Sequence, residues 1–522
     1  MSSDTGYAES LVEAIYSLSR PRKETNPLLW LCEIESTQFE DSPLLCMLAA
    51  WTCVTTARLA DADRWTKALE RVMAQEENKA AISPELASFA VKCLRMKYLA
   101  MAGDGTRALQ LCDELLNCGQ EVKPSLRSMI NQSEAEAYES TGNYEQAMEL
   151  YLKAQASATV DNTMHQLFFN EYTYALALYY RGEHADALKC CEDILKKCPE
   201  DFAIYGASCS LLARVLIEVD EIDRVPELID TSLNRLSHYR HIDLYLDIKM
   251  AQSIWLASRG RASDAYEAIV EATIHGEQYE HVPRATLLSA YYLQAGMAKK
   301  QRNTRELKII EQKFSNIVHD EDLFNQLLLL TIRAYILELD DRKREAATMF
   351  DQAFTQAHAK NFNRMGLNAL VEKTMLLSAL GEKTKTQAAL SELIHVASKQ
   401  GFARTILSAG EPLRQLLRDF STSRNANGPM RTFTKALLLK FEKERPSTEG
   451  RPNGDEGLFA NDASELTERE VEVLKLLNMG MQRQEIAEVL CISINTVKKH
   501  LANIYTKLGV KSRNEAIERI TL

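Results

Sequence analysis

The chain has 522 residues, and its 46% hydrophobic and 26% charged content is typical of folded globular proteins rather than of disordered chains. This length exceeds what one hydrophobic core usually organises, so we expect either several domains or a repeat array with one small additional domain. No stretch is apolar enough to span a bilayer, and the N-terminus lacks the features of a secretory signal. The eleven cysteines show no paired spacing, which predicts reduced thiols and a cytoplasmic location.

The net charge of −11 argues against nucleic-acid binding by the whole surface. The charge is unevenly distributed, however. The last 57 residues, from Leu466 to Leu522, contain nine Lys or Arg and seven Asp or Glu, whereas the rest of the chain has 13 more acidic than basic residues. The C-terminal segment is therefore predicted to form a different kind of surface from the remainder.

Apolar helical stretches are interrupted by short turn signals at intervals of about 40 residues. Glycine can adopt the positive φ that ends a helix, and a period of this length is typical of stacked helical hairpins. The nine predicted turns lie at Asp63, Gly103, Gly142, Gly182, Asp220, Gly260, Arg302, Asp341 and Gly381.

Alanine recurs on both sides of these turns, where small side chains allow two antiparallel helices to approach closely. The recurring positions are Ala68, Ala108, Ala147, Ala187, Ala265 and Ala346 after the turn, and Ala135, Ala175, Ala213, Ala295 and Ala334 before it. No run of alternating β-branched residues suggests a sheet. The sequence therefore predicts an all-α fold, with an α-solenoid of helical hairpins over residues 1–422. The stretch Ser133–Ala154 resembles a tetratricopeptide repeat, although the period is longer than usual.

A solenoid has a concave face, and such faces usually bind peptides, protein surfaces or small molecules. We therefore expect a sensor or a docking platform, and the alternative is a spacer that only holds the C-terminal segment. Aromatic residues that could line a pocket are instead predicted to belong to the core, because they recur at helical spacing. They are Trp51, Trp255, Tyr179, Tyr180, Tyr291 and Tyr292.

No catalytic motif is found in the sequence. Phosphate-binding glycine loops, nucleophile elbows and clusters of residues at metal-ligand spacing all lack a match. His238 and His241 lie three residues apart without acidic or thiol partners, so a polar helix rim is expected there. The sequence predicts a protein that is not an enzyme and that has neither a cofactor nor a metal.

Residues 423–464 are predicted to connect two domains. The stretch Met430–Glu444 has the pattern of one amphipathic helix, and the following residues, rich in Pro, Gly, Asn, Asp and Ser, are typical of a flexible linker. Residues 465–522 then predict four short helices. Thr467 with Glu470, and Ser512 with Glu515, have the spacing of capping boxes that open the first and the fourth.

The third of these helices follows Ser493 and ends near Gly509. One face is apolar and is predicted to be buried, with Val497, Leu501, Ile504, Tyr505 and Leu508. A short second helix and a tight turn before it are typical of helix-turn-helix geometry, in which such a helix enters the major groove of DNA. The predicted DNA-binding residues of this helix and its N-cap are Ser493, Asn495, Thr496, Lys498, Lys499, Asn503 and Lys507.

Residues 466–522 resemble the DNA-binding domain of LuxR-type bacterial transcription regulators. The motifs that carry this resemblance are Leu466-Thr467-x-Arg469-Glu470, Glu485-Ile486-Ala487, Ser493-x-x-Thr496-Val497-Lys498-x-His500 and Lys507-Leu508-Gly509-Val510. The resemblance implies that Lys498 and Lys499 contact DNA and that Thr496 and Lys507 face phosphates. One departure is Gln482-Arg483-Gln484, where the family usually has Ser/Thr-Asn-Lys, so the phosphate contact there is expected to come from Arg483. The family also implies a dimer on double-stranded DNA, with contacts expected from Ala516, Ile517 and Ile520.

The helical array is similar to the repeat region of MalT-like regulators, but the N-terminal ATPase module of those proteins is not expected in this chain. The function predicted from the sequence is a DNA-binding transcription regulator whose array senses a ligand or docks a protein. RNA polymerase or another protein is the expected macromolecular partner besides DNA, and a peptide or small molecule is the expected ligand. The alternative is an interaction scaffold with a vestigial DNA-binding tail. We further expect the acidic array to restrain the tail by occupying the third helix until a ligand binds.

Overall fold

In the computed structural model the described residues are 42–55, 58–75, 84–117, 124–160, 164–200, 202–236, 242–278, 284–320, 322–423, 428–443, 466–478, 481–490, 492–510, 512–513 and 515–517. Helices account for the regular secondary structure of these ranges, which contain no strand. The predicted all-α fold is confirmed.

The helices, numbered in chain order, are α1 (Pro43–Thr55), α2 (Leu59–Met73), α3 (Pro84–Met101), α4 (Gly105–Leu116), α5 (Pro124–Ser140), α6 (Tyr144–Val160), α7 (Met164–Arg181), α8 (His184–Lys197), α9 (Ala203–Val219), α10 (Val225–Leu236), α11 (Ile242–Ser258), α12 (Ala262–Glu277), α13 (Arg284–Lys300), α14 (Thr304–Ile317), α15 (Leu323–Leu339), α16 (Lys343–Ala359), α17 (Asn363–Ala379), α18 (Lys383–Gln400), α19 (Arg404–Leu407), α20 (Glu411–Thr422), α21 (Gly428–Lys443), α22 (Glu468–Asn478), α23 (Arg483–Val489) and α24 (Ile494–Leu508). A short 3-10 helix, Ile222–Arg224, precedes α10.

At most of the predicted turns, a residue in the left-handed backbone conformation ends the helix. Eight of the nine positions have positive φ, and these are Gly103, Gly142, Gly182, Asp220, Gly260, Arg302, Asp341 and Gly381. The prediction at Asp63 is wrong, because this residue lies inside α2 and the break in this region comes earlier, before Leu59. Asp63 forms a 2.6 Å ion pair with Lys67 one turn later, so its charge is accommodated on a helix surface rather than at a turn.

The recurring alanines pack where the two helices of each hairpin meet. All eleven are at most 1% exposed. A methyl side chain is small enough for this close approach, and it retains a high helix propensity. Consecutive helices pack against each other from α1 to α16 with the pairing expected of stacked hairpins.

Gly105 shows how closely the hairpins approach. A Cβ atom at this position would lie 2.5 Å from the Ala137 carbonyl oxygen and 2.1 Å from Ser140 Oγ. We expect Gly105→Ala to lower the free energy of unfolding by about 1–3 kcal/mol, because α4 and α5 would have to separate. Gly296→Ala is the matched control, since a Cβ there meets nothing within 4 Å, and it is expected to stabilise α13 by about 0.5–1 kcal/mol. Denaturation midpoints of the two variants check this opposite sign.

Two compact units divide the chain, Met1–Leu376 and Leu377–Leu522. This division lies earlier than the predicted domain boundary after residue 422. The predicted core aromatics of the first unit are buried or half-buried, with Trp51, Tyr179 and Tyr291 at most 7% exposed. His238 and His241 lie outside the described residues. The eight described cysteines form no disulfide, and seven of them are buried.

The first unit contains contacts between helices that are far apart in sequence. The ring of Phe362, which directly precedes α17, lies edge-on to Tyr144 of α6, with centroids 4.1 Å apart. Phe324 of α15 contacts both Phe362 and Tyr180 of α7, with centroid distances of 5.1 and 5.7 Å. In a simple stack of hairpins each hairpin touches only its neighbours, so these contacts join helices that such a stack would keep apart.

In the second unit α21 is covered on more than one side. It packs against α18, α19 and α20, and also against α22 and α23. The residues from Met430 to Glu442 are buried or half-buried. The predicted helix over Met430–Glu444 corresponds to α21, which contacts other helices on more than one side.

Candidate DNA-binding interface

Helix α24 begins and ends at well-defined caps. Ser493 has an extended backbone, and its Oγ accepts a hydrogen bond of 3.1 Å from the backbone N–H of Thr496. This bond satisfies one of the amide groups that lack a partner in the first turn of any helix. Gly509 ends the helix with φ +67°, as predicted. The two caps fix the length of the helix that is predicted to read DNA.

The inner face of α24 holds the small domain together. Val497, Leu501, Ile504 and Leu508 are at most 6% exposed, and Tyr505 is half-buried. They pack in one core with residues of α22 and α23, among them Val473, Leu474, Leu476, Leu477, Ile486 and Ala487. The predicted apolar face is confirmed. Its burial fixes the rotation of α24 and therefore decides which side chains point outward.

The outer face of α24 is open to solvent. Asn495, Lys498, Lys499 and Asn503 are exposed, and Ala502 lies exposed between them. Neither lysine forms an ion pair within the described part of the chain. Amide and ammonium groups on one exposed helix face are the groups that bind base edges and phosphates. Thr496 is half-buried, and its hydroxyl lies 2.8 Å from Ser493 Oγ at the exposed start of the helix.

Arg483 lies at the first position of α23, and its neighbours Gln482 and Gln484 are also exposed. The carboxylate of Glu485 accepts a hydrogen bond of 2.6 Å from the backbone N–H of Gln482. This contact satisfies an amide at the start of the helix. Arg483 is therefore placed where a side chain can extend away from the domain, beside the exposed start of the helix-turn-helix.

Lys507 has a partner inside the domain. Its ammonium donates a hydrogen bond of 2.6 Å to Glu470 Oε2, and the Glu470 side chain is only 4% exposed. Glu470 also closes the predicted capping box, accepting from the Thr467 N–H at 2.9 Å while its own N–H donates to Thr467 Oγ1 at 3.3 Å. The hydrogen bond from Lys507 holds the pKa of Glu470 below its usual value. The ion pair thus ties the end of α24 to the start of α22, and the phosphate contact of Lys507 remains a prediction.

A double-mutant cycle separates these two roles of Lys507. Lys507→Met is expected to destabilise the domain by about 1–3 kcal/mol, because Glu470 is left buried without its cation. Adding Glu470→Gln should restore much of the loss, since a neutral amide can still accept the backbone bond of the capping box. If Lys507 also contacts a phosphate, the double variant remains weaker in duplex binding than Glu470→Gln alone. Equal duplex binding by these two variants contradicts the predicted phosphate contact.

Two arginines have structural roles that the residue pattern did not reveal. The guanidinium of Arg469 donates a 2.7 Å hydrogen bond to the carbonyl of Leu490 at the end of α23. Arg513 donates to the carbonyl of Leu477 near the end of α22, at 3.3 Å. Carbonyl groups at a helix C-terminus lack partners within the helix, so both arginines satisfy them. These partners are 21 and 36 residues away, which is why local spacing could not predict them.

The predicted dimer residues are not all accessible. Ala516 is fully buried in the core of its own domain, below the Ser512–Glu515 capping box. The prediction of a dimer contact at Ala516 is therefore corrected, because a side chain without exposed surface cannot contact a second chain. Ile517 is half-buried, and Ile520 lies outside the described residues.

The inner helices of the first unit carry a second group of polar residues. Arg214 of α9 donates a 2.8 Å hydrogen bond to Asp247 of α11, and both side chains are at most 11% exposed. The ring of Tyr179 contacts two guanidinium groups, at 4.6 Å from that of Arg214 and 4.8 Å from that of Arg364. Arg364 also approaches Glu218, at 3.8 Å. Charged and aromatic side chains are thus enclosed inside the superhelix.

A further ion-pair group lies on α13, α15 and α17. The ammonium of Lys299 contacts the carboxylates of Glu338 and Glu372 and lies 5.3 Å from the ring of Tyr335. Burial lowers the pKa of Lys299, but the two carboxylates outweigh burial and the pKa is raised. Lys300, next along the helix, has its pKa lowered by burial. No group of three potential metal ligands occurs among the described residues.

Comparison with known families gives two matches. The model of the MalT-like TPR region matches residues 90–423, and the model of the bacterial regulatory proteins of the luxR family matches residues 464–520. The first match covers more than half of the chain. The chain belongs to the MalT-like TPR family. The turns and buried alanines described above lie mostly in the first match, and the candidate DNA-binding interface lies within the second.

Curated relatives of this MalT-like TPR protein are HTH-type transcriptional regulators. MalT of Yersinia pestis is 22% identical over 508 residues, which are 92% of this chain and 54% of that protein. MalT of Klebsiella pneumoniae is 30% identical over 147 residues, which are 26% of this chain and 16% of that protein. The chain thus spans about half the length, or less, of the curated relatives it matches.

Among solved structures, a Rap protein complexed with competence and sporulation factor matches 69% of this chain and 99% of its own, with a TM-score of 0.52 and 10% identity. At this identity the likeness shows the fold alone, a helical-repeat solenoid. In the described part of the MalT-like TPR protein, no helix has the length and apolarity required to cross a membrane.

Proposed function

We propose that this MalT-like TPR protein is a sequence-specific DNA-binding transcription regulator that reads the major groove with α24. The observation that carries the proposal is the outer face of this helix. Lys498 and Lys499 are exposed and unpaired among the described residues, while the opposite face is locked in the domain core. A helix held in this way can present a fixed set of donors to base edges.

The expected assembly is two copies on a DNA site with two-fold symmetry. One short recognition helix covers few base pairs, and half-sites are usually read by symmetric pairs. Ile517 and Ile520 remain the proposed dimer residues. The proposed setting is the bacterial cytoplasm, where RNA polymerase or another protein is the expected partner of the DNA-bound form.

We propose that the first unit senses a peptide, a small molecule or a protein on its inner face. Support comes from the group around Arg214, Tyr179 and Arg364, in which charged and aromatic side chains contact one another. A ligand with charged or aromatic groups could replace some of these contacts with its own. A ligand shifts an equilibrium only if it binds one conformation better than the other. The same proposal includes restraint of the tail by the helical array, which such a ligand would release. Because the outer face of α24 is exposed, this restraint would act without covering that face, contrary to the expectation from the sequence.

Duplex binding by the full-length chain tests the main proposal. Duplexes selected by the chain from a random-sequence library are compared with unrelated duplexes over a range of salt concentrations. We expect preference for the selected sequence, and a logarithm of affinity that falls linearly with the logarithm of salt concentration as phosphate counterions are released. Weak binding without sequence preference would instead support the alternative, an interaction scaffold whose DNA-binding tail is vestigial.

Comparison of the full chain with a fragment that starts at Gly428 tests the sensor proposal. If the helical array restrains the tail, the fragment binds the selected duplex more tightly than the full chain at matched dimer concentration. Equal affinity of the two would show that the array does not inhibit DNA binding. Recruitment of a protein partner would then be the better account of the role of the array.

A further inference from the structure

Helix α21 packs against two groups of helices, α18–α20 and α22–α23. Leu439 is 4% exposed and lies in the core of the helix-turn-helix domain with Val473, Leu474 and Ile486. Glu442, about one turn further along α21, lies 3.7 Å from the guanidinium of Arg414 in α20. The DNA-binding domain is therefore connected to the preceding helices both covalently, by the residues that follow Lys443, and by packing against α21.

The polar side chains of α21 also point to both partners. The hydroxyl of Thr432 makes a long hydrogen bond of 3.5 Å to Glu485 at the start of α23. Arg431 donates to the carbonyl of Ser423 after α20, at 3.4 Å. Lys435 is close enough to Glu485, Arg431 and Arg513 for each to influence its pKa, which burial lowers. Polar side chains of α21 thus contact both groups of helices.

The contact with α21 leaves the DNA-binding surface open. It involves α22 and α23, whereas Asn495, Lys498, Lys499 and Asn503 on the outer face of α24 remain exposed. The interaction therefore does not block DNA. What it restricts is the orientation of the domain relative to the last helices of the TPR region, α18–α20.

We propose that α21 is a rigid mount that fixes the helix-turn-helix domain on the end of the TPR region, and that this mount makes paired half-site recognition strictly dependent on half-site spacing. The proposal rests on the proposed function and deepens it. The residues that carry it are Leu439, which fills the domain core, and Thr432, which contacts Glu485.

The shift that an insertion imposes on a half-site distinguishes a rigidly mounted domain from a flexibly tethered one. Inserting five base pairs between two half-sites moves one of them by about 17 Å and rotates it by about half a turn. A domain held only by a random-coil tether of about 20 residues would range over about 25 Å and could follow this shift. A domain packed on α21 can follow only if the α21 contact breaks or the two chains rearrange.

The test uses the full-length chain and a duplex that it selects from a random-sequence library. The affinity for the selected duplex is compared with the affinity for duplexes that carry five or ten additional base pairs between the half-sites. It is also compared with the affinity for a single half-site. For the wild type, we expect the five-base-pair insertion to reduce affinity about 100-fold, to the level of a single half-site, because the effective concentration of the second domain is lost.

Variants of the α21 contact identify the cause of this strictness. Leu439→Ala removes the apolar contact, and Leu439→Met is the matched control that keeps its volume. Thr432→Trp leaves the domain core intact but adds bulk at the contact with Glu485, with Thr432→Ser as its control. Thr432→Trp is expected to keep single half-site affinity, whereas Leu439→Ala is expected to lower it because it also weakens the domain core. Relative to their own affinity for the selected duplex, both variants are expected to lose less than about 10-fold on the five-base-pair insertion, as a tethered second domain would.

Three outcomes would overturn the mount. The first is a wild type that tolerates the insertion, and the second is a wild type and disruptive variants that are equally strict, since the strictness then comes from a contact between the two DNA-binding domains. The third is loss of single half-site binding in both disruptive variants, which makes α21 an integral part of the DNA-binding fold rather than a mount. Failure to select any duplex concerns the proposed function instead, and so the two failures are distinguishable.

Discussion

Replacement of Lys498 or Lys499 by alanine is expected to lower affinity for the selected duplex by about 1–3 kcal/mol each, if the lysine contacts a base. Both lysines lie on the exposed face of α24, and neither has an ion-pair partner in the described part of the chain. Replacing either lysine therefore breaks no ion pair there. Folding of the variants should therefore be unchanged. The measurement is the affinity for the selected duplex and for single-base variants of it, because a base contact also relaxes preference at one position.

The matched control for these lysines is Thr506→Ala, an exposed position in the last turn of the same helix. It is expected to leave affinity within about 2-fold, since the Thr506 hydroxyl bonds the Ala502 carbonyl within the helix. If both lysine variants retain full affinity and preference, base reading must be assigned to another surface.

Asp247→Ala is expected to lower the free energy of unfolding of the first unit by about 3–5 kcal/mol. The guanidinium of Arg214 would remain buried without the carboxylate that lies 2.8 Å away. The matched control is Glu345→Ala, which removes one partner of an exposed pair with Arg342 and should leave stability nearly unchanged, because water screens such a pair. The chemical denaturation midpoints of the two variants give the comparison.

A compensating variant tests the physical reason for this loss. Arg214→Met combined with Asp247→Leu removes both charges and fills the space with apolar groups, so it is expected to recover most of the stability. Should Asp247→Ala be no more destabilising than Glu345→Ala, the pair is accessible to water in solution, and the inner face of the superhelix is more open than in this structure.

Local sequence was sufficient for the elements that depend on neighbouring residues. The turns at Gly103, Gly142 and Gly182 follow from the backbone freedom of glycine, and the caps at Ser493 and Gly509 follow from the chemistry of helix ends. The exposed face of α24 followed from the 3.6-residue period, because burying one stripe of a helix leaves the opposite stripe to solvent. The wrong turn at Asp63 shows the limit, since an acidic side chain fits a helix surface as well as a turn.

Tertiary structure decided whatever depends on partners distant in sequence. Lys507 has the same local pattern as an exposed lysine, yet its ammonium is paired with Glu470, 37 residues earlier. Ala516 was expected at a dimer contact but lies in the core, and the packing of α21 against two groups of helices has no local signal in the sequence. The sequence by itself determined a helical-repeat protein with a helix-turn-helix domain, because period and capping are local properties. The tertiary structure alone decided which charges are paired and which helix packs against both α18–α20 and the helix-turn-helix domain, because burial and ion pairing depend on chain segments that meet only in the folded state.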